Sequence, residues 1–459
     1  GDLIIPSGVT TIPSYGFNGC SGLAGLTIPD TVTSIGENAF VSCTGFTSLT
    51  LSSNLTTIGT YAFGGCTNIT TSLVIPANVT SIGEGAFAYV PFSSIDVSAN
   101  PTRYHVHDDV MYQESNHMAI YSRKGNTGTI TFESDTLYIG SYCCASNSRT
   151  GDLSIPSGVL AINSYAFNSC KSFNGSVTIS GTVTSIGDYA FTNCENILSI
   201  VFSEGLETIG ASAFRTCIKL NCNLIFPDSL ITIGINAFEG LSSMVGSITF
   251  GTSASNLTTI GSGFSCAFTG ELYIPPSVTT IDTGTYPTFR WNNNPSSITS
   301  DSTNYPAYDN VLYDCKTAGV VRPILNARAY SGTLTLRADT TIITTPYWGG
   351  IFANAVNRTG TLTIPDTLTS IGSSTFSGCS GFTGLAFSGT PTITTIGANA
   401  FYNCPALTGT LTLPASLSTT AGSIGAGAFT GSTVANRPSF TVCNSYNNTQ
   451  PGATTTSFA

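Results

Sequence analysis

Residues 31–43 read TVTSIGENAFVSC, and close copies of this stretch return along the chain, for example at 54–66 and 367–379. The isoleucine of the motif recurs with a period near 23 residues, as from Ile35 to Ile58. Self-similarity at a fixed period of about 20 to 50 residues is the sequence signature of a repeat architecture. One short unit, stacked many times, is therefore expected to set the whole fold.

Each unit has the pattern of one turn of a coil. Residues 26–28 (Leu-Thr-Ile) alternate as a short half-buried strand does, and Pro29 ends the strand because it lacks a ladder donor. Gly36 permits a tight turn, and the spacing of Phe40 and Cys43 predicts one short helical turn. No unit can bury its apolar side chains alone, but stacked units bury them in one core. The sequence predicts a β-rich solenoid of parallel stacked strands with short helical turns.

The repeat also resembles a known family. The pattern Ile-Pro-x-x-Val-Thr-x-Ile-Gly-x-x-Ala-Phe-x-x-Cys is similar to that of BspA-like leucine-rich repeat proteins, over about residues 1–431. Two longer steps, Ile82 to Ile139 and Ile281 to Ile343, contain YHVHDDVMY and YPAYDNVLY. These segments resemble the β-hairpin that such proteins insert between repeats. The resemblance implies a leucine-rich-repeat solenoid with two β-hairpin insertions, and adhesion or binding to host or matrix proteins at a cell surface.

The interruptions divide the chain into six parts. The expected parts are a first solenoid block at 1–89, a hairpin insertion at 90–136, a second block at 137–289, a second hairpin insertion at 290–340, a third block at 341–431 and a Thr/Asn-rich C-terminal tail at 432–459.

Charged residues are unusually scarce. They make up 8% of the 459 residues, against roughly 25% in an ordinary soluble domain, and the net charge is −10. Nucleic-acid binding is excluded as a main activity because phosphate neutralisation needs clustered basic residues. No apolar run approaches the roughly 18 to 20 residues of a membrane-spanning helix, so no membrane span is expected.

Catalytic patterns are missing from the sequence. We find no nucleophile elbow and no phosphate-binding glycine loop, and no paired carboxylates of the kind that glycoside hydrolysis requires. The sequence therefore predicts a protein that is not an enzyme and has no cofactor.

The middle residue of each Leu-x-Ile strand should face outward and form a ladder of neutral side chains. Val201, Ile225 and Tyr273 are predicted to mark an exposed apolar contact face on this ladder. A plainer interpretation is that β-branched residues simply suit a pleated surface.

The chain begins directly with a full repeat, so its first turn should expose strand edges and core side chains. Leu3, Ile5 and Phe17 are the candidate residues for end-to-end contact with another copy of the chain. The alternative is a cap lost by trimming.

Eight of the 14 cysteines occupy one repeat position, which makes them a structural ladder of buried free thiols, although stacked neighbours would fall within disulfide range. They are Cys20, Cys43, Cys66, Cys170, Cys194, Cys217, Cys379 and Cys404.

All three histidines, His105, His107 and His117, lie in the first predicted hairpin. His105 and His107 would share one face of a strand, which makes them weak candidates for a divalent-metal site. The default interpretation is a solvated hairpin without metal.

Glycosylation sequons matter if the chain is secreted by a eukaryote, and we expect an extracellular or cell-surface location. The candidate acceptors are Asn54, Asn68, Asn78, Asn174, Asn256, Asn357 and Asn447.

Taken together, these features predict a non-enzymatic extracellular or cell-surface protein that works by protein contact. Two forms of this function are open, an adhesin and a self-assembling filament subunit. The alternative is a glycan- or matrix-binding module that works as a monomer.

Overall fold

The computed structural model describes residues 1–264, 268–282, 295–328, 330–343, 350–408, 413–418 and 423–431. The tail at 432–459 lies outside the described residues. The chain forms two compact units. The first holds Gly1–Cys222 and Ser229–Met244, and the second holds Asn223–Asp228 and Val245–Ala459. The finer division at the insertion boundaries stays a prediction.

Most coils contribute two short strands, and the strands of successive coils form two parallel ladders. The first ladder contains the alternating segment, in which Leu26 and Ile28 are buried and Thr27 is exposed. The second contains the motif isoleucine, so that Ile12 pairs with Ile35 of the next coil. In-register stacking places like residues above one another and buries them together. The predicted solenoid of parallel stacked strands is confirmed.

The strands of the first unit follow this scheme. Its first ladder consists of Leu3–Ile4 with Leu26–Thr27, Leu73–Val74 with Ile95–Asp96, and Leu153–Ser154 with Ser176–Thr178 and Ser199–Val201. Its second ladder consists of Thr11–Ile12, Ser34–Ile35, Thr57–Ile58 and Ser81–Ile82, then Tyr138–Ile139, Ala161–Ile162, Ser185–Ile186, Thr208–Ile209 and Thr232–Ile233. The first insertion contains Tyr104–His107, Val110–Gln113 and Met118–Ser122.

The second unit repeats the arrangement. Its first ladder consists of Leu224–Phe226, Ile248–Phe250, Glu271–Ile274 and Ser297–Ser300, then Gly332–Thr335, Arg358–Ile364 and Phe382–Phe387. Its second ladder consists of Thr259–Ile260 with Thr280–Ile281, and Ile342–Ile343 with Ser370–Ile371 and Thr395–Ile396. The second insertion contains Ala307–Tyr308, Val311–Asp314 and Arg322–Asn326.

The segment that follows the second strand is a series of turns, whereas the sequence predicted a short helical turn. The N–H of Phe40 donates to the carbonyl of Ala62 in the next coil (N to O 2.8 Å), while the N–H of Cys43 donates back to Phe40 (3.2 Å). An α-helix needs every N–H of the segment for itself, and Asn38 adopts a left-handed φ of 54°. The one helix among the described residues is the 3-10 helix Ala415–Ser418.

The glycine of the motif is required by close packing between coils. A Cβ on Gly36 would lie 2.4 Å from the backbone N of Ser14 in the preceding coil, and one on Gly59 would lie 2.5 Å from that of Glu37. Neither glycine has a left-handed φ. The tight turn predicted at Gly36 therefore explains little of the need for glycine. Glycine is needed because any side chain here would push neighbouring coils apart.

Phenylalanine rings form the centre of the core. Phe17, Phe40 and Phe63 stack with ring centroids 5.3 and 5.2 Å apart. In the second unit, Phe376 and Phe401 stack at 5.1 Å. Stacked pairs contribute about 0.5–1.5 kcal/mol each beyond the area that they bury, so the aromatic column helps to fix coil register.

Both insertions are three-stranded antiparallel meanders, and they are packed into the core. In the first, the third strand continues the second ladder, since Ala119 pairs in parallel with Ile139. Its middle strand buries Val110, Met111 and Tyr112. The expectation of a solvated hairpin is wrong for this strand, because its apolar residues complete the core between two coils.

Within the described ranges, no helix has the length and hydropathy that a membrane crossing would need.

Candidate contact surfaces

The outward positions of the first ladder are held by the alternation of each strand. Val201 pairs with Thr178 in the first unit, and 53% of its surface is exposed. Ile225 in the second unit is 62% exposed and pairs with Thr249. Ile225 lies between the buried residues Leu224 and Phe226. Val201 lies between the buried Ile200 and the half-buried Phe202. The backbone therefore holds both apolar side chains outward.

Tyr273 differs from the two aliphatic residues. It follows Thr249 on the ladder of the second unit, so one threonine separates it from Ile225. Its hydroxyl donates to Asp301 Oδ2 at 2.7 Å, and burial together with this carboxylate raises the pKa of Tyr273 to about 12. The structure therefore places Ile225 and Tyr273 on one sheet and Val201 on a sheet of the other unit.

The residues predicted for end-to-end contact take part in the first coil. Leu3 pairs with Leu26, Ile5 is buried, and Phe17 stacks one ring face on Phe40 while remaining half-buried. All three pack on the second coil.

His105 is held between two carboxylates in the first insertion. Its Nδ1 lies 2.5 Å from Glu114 Oε1 and its Nε2 lies 2.6 Å from Glu133 Oε2. The ring stacks on Tyr112 with centroids 4.9 Å apart, and His107 Nδ1 is 3.6 Å from the second oxygen of Glu133. Burial lowers the pKa of His105, but the bonds with Glu133 and Glu114 outweigh it, so the net shift is upward. We call these side chains the histidine cluster.

The cluster is arranged for proton binding. Both nitrogens of His105 face carboxylates, which fits an imidazolium that donates twice. His117 lies apart from it and contacts Asp135 (Nδ1 to Oδ2 3.1 Å). Among the residues that the structure describes, no group of three or more His, Cys, Asp or Glu is placed to hold a metal ion.

A buried arginine fastens the tight turn of each insertion, and we call this contact the turn clamp. In the first insertion, Arg149 Nη2 donates to the carbonyl and to the carboxylate of Asp108, at 2.5 and 3.0 Å. In the second, Arg358 Nη2 donates to the carbonyl of Asp309 at 2.7 Å. Both aspartates have a left-handed φ of 47°. Each arginine comes from the coil that follows the insertion.

The ladder cysteines are core residues with a specific hydrogen bond. Their thiols donate to a carbonyl of the preceding coil at 2.9 to 3.3 Å, and the donors are Cys43, Cys66, Cys170, Cys194, Cys217, Cys379 and Cys404. Cys20, in the first coil, is half-buried, and the structure contains all eight as free thiols. Burial raises the pKa of Cys43 to about 11 and that of Cys66 to about 12, which suppresses thiolate chemistry.

The sequon asparagines within the described residues are exposed, and several brace neighbouring coils. Amide groups donate to carbonyls of the preceding coil at Asn54, Asn68, Asn78 and Asn357. Asn174 instead accepts a bond from Gly151, and Asn256 is exposed without a side-chain bond of this kind. Asn447 lies outside the described residues.

Known structures with leucine-rich repeats resemble this chain. A leucine rich cell surface protein from Faecalibacterium prausnitzii is 22% identical, with 74% of this chain and 95% of that one covered and a TM-score of 0.47. A leucine-rich repeat protein from Eubacterium ventriosum is 22% identical, covering 66% and 83%, with a TM-score of 0.48. The pneumococcal vaccine antigen PcpA is 17% identical, covering 64% and 73%, with a TM-score of 0.46.

Comparison with curated proteins finds no matching sequence. The sequence profile of the BspA type leucine rich repeat region, in contrast, matches six copies over residues 1–117, 116–245, 184–319 and 350–452. These segments include most of the chain and contain the repeat motif of residues 31–43. The chain belongs to the BspA-type leucine-rich repeat family.

Proposed function

We propose that this chain is a non-enzymatic extracellular protein that acts as an adhesin, through contact between its outward strand positions and another protein. The observation that carries the proposal is the exposure of aliphatic side chains at these positions. Val201 and Ile225 are both more than half exposed, and neither has a charged neighbour on its paired strand.

Protein contact at these positions gains from apolar burial and loses little to desolvation or side-chain ordering. Removing apolar surface from water contributes roughly 25 cal/mol per Å², and uncharged neighbours such as Thr178 and Thr249 add little desolvation cost. Ordering costs in binding are lowest where side chains are already held, and Val and Ile have few rotamers. A rigid, neutral ladder with aliphatic positions is therefore suited to protein contact.

The test uses the full chain and immobilised extracellular-matrix proteins, fibronectin and collagen, with binding followed by interferometry. Val201→Lys and Ile225→Lys each place a charge in the proposed interface, and we expect affinity to fall by about tenfold or more, equivalent to about 1.4 kcal/mol. Ile235→Lys is the matched control, because Ile235 is 54% exposed but lies on the turn segment.

Three outcomes contradict the adhesin proposal. Equal loss in all three variants would place the contact elsewhere. Concentration-dependent polymers of the wild-type chain in sedimentation, disrupted by Phe17→Lys, would favour a filament subunit instead. Binding to a glycan array without binding to the proteins would favour the monomeric glycan-binding alternative.

A further inference from the structure

Tyrosine side chains form a stacked strip along the turn segments of the first unit. The rings of Tyr142 and Tyr165 are parallel within 6° with centroids 4.6 Å apart, and those of Tyr165 and Tyr189 are parallel within 10° at 4.7 Å. All three side chains are half-buried. Three successive coils therefore present one phenol each, at the spacing of the coils themselves.

The strip continues across the first insertion. Tyr61 lies 5.1 Å from Tyr142, and Tyr89 meets Tyr142 edge-on at 5.9 Å. Gly85 makes this possible, since a Cβ there would lie 2.8 Å from the Tyr142 ring. The ring of Tyr142 thus contacts aromatic rings from both sides of the insertion.

These tyrosines occupy a backbone position that disfavours them. Tyr142, Tyr165 and Tyr189 have left-handed φ values of 60°, 60° and 59°. Tyr15 and Tyr61 hold the same position in two other coils, with φ values of 61° and 56°, whereas Asn38 and Ser212 hold it elsewhere. Asparagine in particular adopts this conformation at lower cost than a bulky residue. A bulky residue held in a sparsely populated backbone region points to a gain from its side chain.

The hydroxyl groups are available for chemistry. Among the described residues, the hydroxyls of Tyr142, Tyr165 and Tyr189 make no hydrogen bond to the protein. They are also absent from the buried polar atoms that lack a partner, so these hydroxyls reach solvent. The thiols of the same coils are enclosed in the core, where burial raises the pKa of Cys194. Phenols, and not thiols, are therefore the oxidisable groups that an external reagent meets on these coils.

We propose that Tyr142, Tyr165 and Tyr189 are a site of oxidative tyrosine coupling, in which a bond between two neighbouring rings joins adjacent coils covalently. The oxidant is hydrogen peroxide used by a haem peroxidase. With limiting peroxide, each molecule forms one link, either from Tyr142 to Tyr165 or from Tyr165 to Tyr189, since Tyr165 belongs to both parallel pairs.

Each link consumes one molecule of hydrogen peroxide. Each of two phenols loses one electron and its hydroxyl proton, which gives two phenoxyl radicals, and the peroxide takes up both electrons and both protons to become two molecules of water. A carbon–carbon bond forms between ring carbons ortho to the oxygens. The hydrogen on each bonded carbon moves to its oxygen and restores two phenols, so the product has lost one pair of hydrogen atoms in total.

Proximity favours coupling within the strip over coupling between molecules. Holding two reacting groups together converts a bimolecular step into a unimolecular one. The rings are exposed enough to rotate toward an ortho–ortho bond, and their backbones are fixed by the pairing of the coils, as between Ala161 and Ser185.

The experiment treats the folded full chain with a haem peroxidase and limiting hydrogen peroxide, then measures dityrosine fluorescence and maps linked peptides by mass spectrometry. We expect a product that stays monomeric on a denaturing gel, with links that contain Tyr165 at least about tenfold more abundant than links at Tyr15 or Tyr402. Tyr165→Phe keeps the ring stack but removes the shared partner, and it should abolish most of the fluorescence.

Tyr402→Phe is the matched control, because Tyr402 is 45% exposed and stands outside the strip, and its removal should leave the yield unchanged. Mainly intermolecular product, an even spread of links over exposed tyrosines, or an unchanged yield in Tyr165→Phe would each overturn the proposal. Urea-unfolded chain is a second control, since coupling within the strip should be lost there.

Discussion

The two insertions share one scaffold. Tyr104 and Tyr112 of the first are fully buried, as are Tyr305 and Tyr313 of the second. The hydroxyl of Tyr112 accepts the backbone N–H of Glu133, and that of Tyr313 does the same for a residue of its own following coil. The turn clamp is present in both. The insertions thus share the contacts that join each meander to the coil that follows it in the chain.

They differ at the positions that reach solvent. His105 of the first insertion corresponds to Pro306 of the second, since each lies opposite the buried tyrosine of its middle strand. Glu114 follows the first middle strand where Cys315 follows the second. The backbone N–H that bonds the tyrosine hydroxyl belongs to Glu133 in the first insertion, at Tyr112, and to Arg337 in the second, at Tyr313. The comparison separates a shared structural frame from a proton-binding cluster that belongs to the first insertion alone.

The largest effect is expected from breaking the turn clamp. Arg358→Met leaves the Asp309 carboxylate and carbonyl without their cation, and loss of one partner of a buried pair costs about 3–5 kcal/mol. Arg149→Met should cost a similar amount, if the clamps are equivalent. Urea unfolding with hydrogen exchange at Val311–Asp314 and Val110–Gln113 measures both.

The control for the clamp is Arg215→Met, because this exposed arginine pairs with Glu239 at the surface and should cost less than about 1 kcal/mol. A loss of stability in Arg358→Met no greater than in this control would show that the buried arginine does not fasten the insertion.

A smaller effect is expected from the tyrosine hydroxyls. Tyr112→Phe leaves the N–H of Glu133 without its acceptor, and Tyr313→Phe does the same to Arg337. An unsatisfied buried donor costs about 1–3 kcal/mol. Equal losses in the free energy of unfolding of the two variants would support a shared frame. A loss in only one variant would show that the two hydroxyl contacts are not equivalent.

The histidine cluster predicts a pH dependence confined to the first insertion. The pKa of His105 is raised in the folded state, so its stabilisation is complete below the unfolded value of about 6.5 and is lost as pH rises through the folded value. The groups that face it are Glu114, Glu133 and, through Glu133, His107. Hydrogen-exchange protection of the first insertion, corrected for intrinsic rates, should fall across this range.

The second insertion is the internal control for this pH effect, because Pro306 has no titratable side chain at the equivalent position. His105→Gln should remove the pH dependence of the first insertion. Parallel loss of protection in both insertions, or an unchanged profile in the variant, would assign the effect to other groups.

The smallest effect is expected from two arginine pairs whose arginines reach solvent. Arg123 donates twice to Asp109, with distances of 2.9 Å, and Arg322 contacts Asp314 at 2.8 Å. Lysine keeps the charge but loses the paired geometry, so Arg123→Lys and Arg322→Lys should each cost less than about 1 kcal/mol. Thermal unfolding measures the shift, and a larger loss would place these pairs with the clamp.

The repeat made the parallel stack predictable, because a residue such as Ile35 meets its own equivalent in the next coil. The turn segment was not predictable by local spacing, since the N–H of Phe40 bonds to another coil. The turn clamps were missed for a similar reason, because Arg149 and Asp108 are 41 residues apart. The shared Asp-Asp-Val and Asp-Asn-Val turns were the available signal.

The sequence predicted which residues of the contact face point outward, but not which of them share a unit. Alternation identified Val201 and Ile225 as outward residues, but sequence alone did not show that they belong to different units. The histidines were noticed, whereas Glu133, which bonds His105 from 28 residues away, was not. The sequence contains tyrosines of the strip in the segments Ser-Tyr-Ala-Phe and Asp-Tyr-Ala-Phe. That their rings stack could not be predicted, because the spacing along the chain does not give the distances between rings.

Seven of the eight ladder thiols donate to a carbonyl of the preceding coil, and these bonds bear on whether the thiols should be oxidised. A disulfide between stacked cysteines such as Cys43 and Cys66 would remove two thiol donors, whose hydrogen bonds contribute about 0.5–1.5 kcal/mol each, while the carbonyls of Phe17 and Phe40 would keep their backbone N–H donors. The native coil stack is thus complete in the reduced state. All twelve cysteines within the described residues are free thiols, so the packing of these coils is completed without a disulfide.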